Sequence, residues 1–333
     1  MDFVTAGGLR IDYLITHTGE AQINQIGGNA LYAAVGAALW QQPVGLWARL
    51  GENYPREMLN ALQQYEIMAD GLVAVEGWQD HRTFFAYPPN GPRDDTNPAA
   101  HFARIGQPLP PELETYQFST PNLEHPTDYD PLALRPEDWP VVYDGVTAVH
   151  LAPLSLATHL HAPQYLRQQG VQQITLDPGE RYMIPECAAY IRQILPHIDV
   201  FLPSRMEIRS LFGEDIDLWE TAVILHDWGV QTVVIKNGRH GVLVSDSRNG
   251  RKVHIPAYHQ DSSNVIDVTG AGDSFCGGFM VGLAQTKDPV QAAYYGTISS
   301  SLVVEGYGAL YALSRQQQVQ HRLNQFKLQP LSG

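Results

Sequence analysis

The sequence predicts an α/β fold: a mostly parallel central sheet with helices on both faces. Three observations predict it. Short apolar runs of strand length alternate with segments whose apolar residues recur every three or four positions. The chain has 333 residues, a size suited to one large α/β domain with a minor appendage, or to two domains. Hydrophobic residues make up 44% of it, ordinary for a globular protein, and no apolar run approaches the length of a membrane span.

Residues 3–8 read as a buried strand ending in Gly7-Gly8. Leu9–Ile15 continues as an extended run, turns at Gly19-Glu20 and returns through Gln22–Ile26. After Gly27-Gly28-Asn29, with Asn29 as a candidate N-cap, Leu31, Ala34, Val35, Ala38 and Leu39 follow at helical spacing. A strand at Val44–Leu50, a helix at Tyr54–Tyr65 and a strand at Leu72–Val75 complete the first β-α-β-α-β succession. A second extended patch covers Arg82–Tyr87. From Pro88 to Pro140 the chain is rich in Pro, Asp, Asn and Glu and loses periodicity, so it reads as an insertion over a site or a mobile segment. Alternation resumes with strands at Ala148–Leu151, Gln173–Asp177, Asp199–Leu202 and Thr232–Lys236. Helices at Ser155–Gln169, Pro185–Leu195, Arg205–Phe212 and Leu218–Trp228 lie between them. Val242–Ser245 and Val253–Ile255 read as an antiparallel pair, and helices fill 270–285, 288–304 and 312–325.

One stretch carries chemistry. Asp267-Val-Thr-Gly-Ala-Gly-Asp273 runs straight into a buried helix in which Phe275, Phe279 and Leu283 recur every four residues. A small-residue turn entering such a helix leaves backbone N–H groups free at the positive end of its dipole, where an anion such as phosphate is held. Asp273, in the first turn, is placed to act as a base beside that anion, taking a proton from an attacking hydroxyl.

The bulk charge narrows the function classes. Lys and Arg number 21 against 35 Asp and Glu, a net −14, which does not suit a binder of nucleic acid or of an anionic membrane. His159 and His161 are the closest histidine pair, but with no Cys or carboxylate at ligand spacing they read as surface residues rather than zinc ligands. Cys187 and Cys276 lie far apart and read as reduced thiols. With no basic segment ahead of an apolar one at the start, the expected location is the cytoplasm.

The stretch 267–279 resembles the C-terminal signature D-T-x-G-A-G-D of the ribokinase-like (PfkB) family of carbohydrate and nucleoside kinases, with Val268 where Thr is more common. Other points are spaced as the family spaces them. Gly27-Gly28-Asn29-Ala30 is similar to its G-G-x-x-N-x-A turn in shortened form, which implies Gly28 and Asn29 beneath the acceptor. Asp12 matches the carboxylate that holds acceptor hydroxyls. Ser204 to Glu207 stands where the family has N-x-x-E, implying Glu207 as a ligand of magnesium through water and Ser204 in the Asn position. Lys236 to Gly241 resembles the T-x-G-x-x-G nucleotide loop, with Lys236, Gly238 and Gly241 as its contacts, and Thr297 and Gly308 frame the adenine cleft. Asp177-Pro-Gly-Glu-Arg181 resembles the D-x-N-x-R turn near the site.

The resemblance implies one ribokinase-like kinase domain over residues 1–333. It would carry a small β lid from about 10–26 and 80–105, Arg82 facing substrate from the lid, and the irregular insertion at about 88–140. It implies transfer of the γ-phosphoryl of ATP to a hydroxymethyl group of a sugar. Asp273 would be the base and Gly270, Ala271 and Gly272 the anion hole, with Mg2+ and in some members a monovalent cation such as K+ near Val265–Asp267. A homodimer through the lid is also implied. A nucleoside acceptor and a non-catalytic ligand-binding or regulatory protein on the same fold stay open as alternatives.

Overall fold

The computed structural model describes residues 1–88, 93–117, 124–261 and 263–328. Its strands are β1 (Phe3–Ala6), β2 (Arg10–Ile15), β3 (Ala21–Gly27), β4 (Val44–Gly51), β5 (Ile67–Met68), β6 (Leu72–Val75) and β7 (Arg82–Ala86). They continue with β8 (Ala148–Leu151), β9 (Gln173–Leu176), β10 (Val200–Phe201), β11 (Thr232–Lys236), β12 (Val242–Asp246) and β13 (Arg251–Ile255). The α-helices are α1 (Asn29–Ala38), α2 (Asn60–Gln63), α3 (Pro98–Arg104), α4 (Leu156–Gln168), α5 (Ala188–Ile194), α6 (Arg205–Phe212) and α7 (Leu218–Asp227). The last three are α8 (Ala271–Thr286), α9 (Pro289–Val303) and α10 (Val319–Lys327).

The main sheet runs β13-β12-β11-β10-β9-β8-β1-β4-β5, with β6 also paired to β4. It is parallel except for the β11-β12-β13 meander. Alternation along each strand builds two cores. Phe3 packs with α1, α8 and α9 on one face, while Val4 and Ala6 face the other core, shared with α4, α5, α6 and α7. Strand order reverses around β1 and β8, and a sheet of this kind offers a crevice outside its carboxyl ends at such a point. No helix among the described residues is long and apolar enough to cross a membrane.

A second, three-stranded sheet, β3-β2-β7, stands off those carboxyl ends. Its β2-β3 hairpin turns at the expected Gly19-Glu20. Its outer face buries Tyr13, Ile15, Phe84 and Ala86 under Phe102 of α3 and Leu113. Part of the segment read as irregular is therefore a layer backing the lid. The helix is only seven residues long and is set by local chemistry, with Asn97 accepting from the Ala100 N–H and Pro98 at its first position. Farther along, Arg49 donates to the Pro131 carbonyl at 2.9 Å and pairs with Asp138 at 2.9 Å, fixing the return path to the body.

Two helices are shorter than the periodicity predicts. The stretch 54–65 is a 3-10 turn at Arg56–Leu59 followed by one α turn, and 312–325 opens as a 3-10 run over Ala309–Gln318. His159 is fully buried rather than exposed: Ala152 O lies 3.1 Å from its Nε2 and Tyr182 bonds its Nδ1. Burial pushes its pKa down to about 3, so it sits neutral in the core. Cys187 and Cys276 are both free and buried.

Candidate active site

The carboxyl ends of five strands converge on one place. β1 ends in Gly7-Gly8 and β8 in Ala152-Pro153, and Asn29 ties them together. Its Oδ1 accepts from the Gly8 N–H at 2.7 Å and its Nδ2 donates to the Pro153 carbonyl at 2.7 Å. Both ends of the amide are engaged in stapling the switch point, leaving one N–H and one lone pair for the acceptor hydroxyl expected there. Asn29 is not the N-cap, which is Gly28, at φ 97°. Gly28 matters by conformation and closeness. A Cβ there would lie 2.3 Å from the Gly8 carbonyl oxygen, so only glycine allows the turn.

The same turn seats Asp12. A Cβ on Gly27 would overlap the Asp12 carboxylate, and the Gly28 N–H donates to it. Asp12 lies on the inner face of the lid, because β2 places Tyr13 and Ile15 on the outer one. Burial pushes its pKa up to about 7; Arg10 opposes this, while Asp267 and Asp273 add to it. Asp12 thus faces the α8 turn across the gap between lid and body.

On the body side, Gly270 takes φ 73° at the N-cap of α8, with the ring of Tyr32 where a Cβ would stand, 2.0 Å away. Among the described residues no carbonyl accepts from the Gly270 or Gly272 N–H, so both donors point out of the helix start. Ala271 departs from its expected role: its N–H turns back to the Val268 carbonyl at 3.2 Å, closing the tight turn. Asp273 carries a pKa pushed up to about 7, first by burial and then by the Asp177 charge, with Lys236 and Arg93 opposing. Asp267 accepts from the Thr269 N–H at 2.9 Å, and the Ile266 and Asp267 N–H groups share the Val304 carbonyl, so the approach to the turn is fixed.

β9, β10 and β11 supply a charged cluster beside it. Lys236, expected at a phosphate or in solvent, is not in solvent: it is ion-paired with buried Asp177, and its Nζ lies beside the α8 start, 3.6 Å from where a Gly272 Cβ would be. Burial opposes its charge, but Asp177, Cys276 and Glu207 outweigh that and hold the ammonium protonated. Ser204 and Glu207 form a reciprocal cap: Ser204 Oγ accepts from the Glu207 N–H at 3.2 Å, and Glu207 accepts from the Ser204 N–H at 2.6 Å. Serine thus fills the Asn position as the cap of α6. Burial first, then Asp177, pushes the Glu207 pKa up. Three carboxylates, Asp177, Glu207 and Asp273, therefore surround one lysine, and Oδ1 of Asp177 is buried without a partner. That excess of negative charge and the orphaned oxygen suit a hydrated divalent cation. Among the described residues no three acidic, His or Cys side chains stand close enough to chelate a metal by themselves.

The remaining expected contacts divide. Gly238 and Gly241 shape the short 3-10 turn after β11, Gly241 lying against the Ile255 carbonyl. Thr297 does not face a nucleotide through its hydroxyl, which donates to the Ala293 carbonyl within α9 at 2.8 Å. Gly308 approaches Gln25 of the lid strand β3. Arg82 does not face the acceptor. It shares the outer face with Phe84 and Ala86 and is held by Asp80 at 2.7 and 2.8 Å and by Thr115 at 2.9 Å. Two residues not singled out join lid to body: Tyr87, just past β7, lies 2.9 Å from the Thr269 hydroxyl, and Tyr307 donates to Glu20. Tyr32 was readable in part, since it lies one helical turn beyond Gly28.

The sequence pattern of the pfkB family carbohydrate kinases matches residues 140–316, more than half of the chain. The chain is 25% identical to a cytidine kinase of Thermococcus kodakarensis over 92% of its own length and 98% of that protein. It is 29% identical to a ribokinase of Haemophilus influenzae over 47% of this chain and 49% of that one. Among solved structures, its fold is similar to a putative ribokinase II from E. coli in complex with ATP and Mg2+, at TM-score 0.69 and 17% identity over 98% of this chain and 100% of that one. An aminoimidazole riboside kinase from Salmonella enterica gives 0.67 and 18% over 97% and 100%.

Proposed function

Since the chain belongs to the pfkB family of carbohydrate kinases, we propose that it transfers the γ-phosphoryl group of ATP to a hydroxymethyl group of a sugar or nucleoside held between Asp12 and Asp273. The observation that carries this reading is the meeting of free N–H donors at the α8 start with the Asp273 carboxylate in the first turn of the same helix, which burial makes more basic. Asp12 would orient the acceptor by accepting from its hydroxyls. Asp273 takes the proton of the attacking hydroxyl as the new O–P bond forms and the bond to the ADP oxygen breaks, ADP leaving with the electron pair.

The Gly270 and Gly272 N–H groups and the Lys236 ammonium stabilise charge on the transferring group. Magnesium, when bound, neutralises the nucleotide phosphates, and Glu207 would hold it through water. Val268, in the turn before α8, and Met206, in the first turn of α6, are both exposed and would offer apolar contact to a nucleobase. The Val265–Asp267 segment is where a monovalent cation would sit. A nucleoside acceptor is favoured over a free sugar by one finding, the similarity to a cytidine kinase over nearly the full length of both chains.

The test is ADP release from Mg·ATP across cytidine, uridine, adenosine, ribose and deoxyribose, beside Asp273→Asn. Turnover with one acceptor, lowered about 10²–10⁴-fold in the variant, is expected. Turnover unchanged in the variant would sink Asp273 as base, and no binding of ATP would sink the kinase reading.

A further inference from the structure

The strand parity that takes Arg82 away from the site brings another arginine to it. Ala86 and Asp94 form an antiparallel bridge, with N–H···O distances of 2.7 and 2.8 Å in the two directions. Asp94 is fixed in turn by His101 at 2.8 Å and by Thr96. Because Phe84 and Ala86 point into the outer core of the lid, Phe85, Tyr87 and the flanking Arg93 lie on its inner face. The Arg93 guanidinium covers the Phe85 ring at 4.7 Å.

Its nearest carboxylates are Asp95 at 3.6 Å and Glu180 at 4.0 Å, the latter three residues beyond Asp177 in the turn after β9. Neither is at hydrogen-bond distance. Among the described residues no hydrogen bond engages the guanidinium, in contrast to the five acceptor atoms around Arg82. Its charge reaches Asp273, whose carboxyl it holds down against burial. A planar fork of N–H donors with no bond of its own, carried by the lid and facing the α8 start, is suited to an anion arriving between them.

We propose, on the basis of the kinase reading above, that Arg93 is a catalytic residue delivered by the lid, its guanidinium contacting the transferring phosphoryl group from the side opposite the α8 N-terminus. The backbone donors and Lys236 approach the group from the body alone. Arg93 supplies the positive charge on the acceptor side as the O–P bond forms and ADP departs, and it neither gains nor loses a proton. The lid then does two things in one movement: it lowers Asp12 onto the acceptor and Arg93 onto the phosphate.

The experiment needs no knowledge of the acceptor. Wild type, Arg93→Ala and Arg93→Lys are titrated with Mg·ADP, then with Mg·ADP plus aluminium fluoride, a mimic of the phosphoryl group in flight. Wild type is expected to bind about tenfold or more tightly once fluoride is added, as a site complementary to the transition state should. Arg93→Ala should bind Mg·ADP within about twofold of wild type and lose the fluoride gain, with Arg93→Lys keeping part of it. An undiminished gain in Arg93→Ala overturns the assignment and leaves the kinase reading standing. Parallel losses of Mg·ADP affinity and melting temperature in Arg93→Ala also overturn it, since they mark a structural role. Wild type that fails to bind Mg·ADP, or shows no gain, removes the nucleotide site and this proposal with it.

Discussion

Asp273 keeps its proton at a pH where most carboxylates have lost theirs, and the sign of the consequence differs for activity and stability. As a base it must be ionised, so kcat/KM should fall as pH drops below about 7, following one group with the pKa given for Asp273. A pH–rate profile flat down to pH 5 would contradict this. For stability, the folded value lies above the ordinary 3.8, so the folded protein holds a proton the unfolded chain has lost between 3.8 and about 7. Stability therefore falls as pH rises through that window and stays reduced above it. Asp273→Asn should then melt at a higher temperature than wild type at pH 8, with the difference vanishing near pH 4; equal melting at both would argue against the raised pKa. The turn at Gly270–Gly272 and the place of Asp273 in the first turn of α8 were legible because they follow from local backbone geometry. Lys236 was only half legible, as its partner Asp177 lies on another strand. That Arg82 lies on the outer face of the lid was not legible, because which face of a strand is inward is settled by what packs on the other side.

At the scale of elements, the sheet and the long helices were readable from periodicity, since burial on two faces imposes it. The backing layer of the lid was not. A helix of seven residues has too few turns to show a period, and its placement rests on an Asn-Pro cap and on Phe102 reaching Phe84, 6.2 Å between ring centroids. The helices predicted at 54–65 and 312–325 were cut short where the backbone tightened into 3-10 turns. Phe102→Ala should leave a cavity behind the lid and lower stability by about 3–5 kcal/mol if the lid melts with the rest. If the lid melts by itself, the loss appears there alone. Either way the KM for the acceptor should rise more than that for ATP. Steady-state kinetics with both substrates varied checks this, and equal changes in the two values would refute it.

Across the whole molecule, the lid has a small core of its own, separate from the two that clasp the main sheet. Small cores open more readily. Amides of β2, β3 and β7 should therefore exchange with solvent faster than those of β1 and β8 in the free protein. They should slow on adding a non-hydrolysable ATP analogue with the acceptor; uniform exchange across both sheets would show the lid to be no separate unit. The bonds from Tyr87 to Thr269 and from Tyr307 to Glu20 are among those such opening must break. Asp12 rides on the lid and Asp273 on the body, so a lid that lifts Asp12 off the Gly28 N–H changes the span between the two carboxylates. On the kinase reading proposed above, the acceptor held between them would set it. An acceptor one carbon too short or too long would leave the jaws misaligned, and selectivity would be exercised as a length gauge in the catalytic rate rather than as tightness of capture.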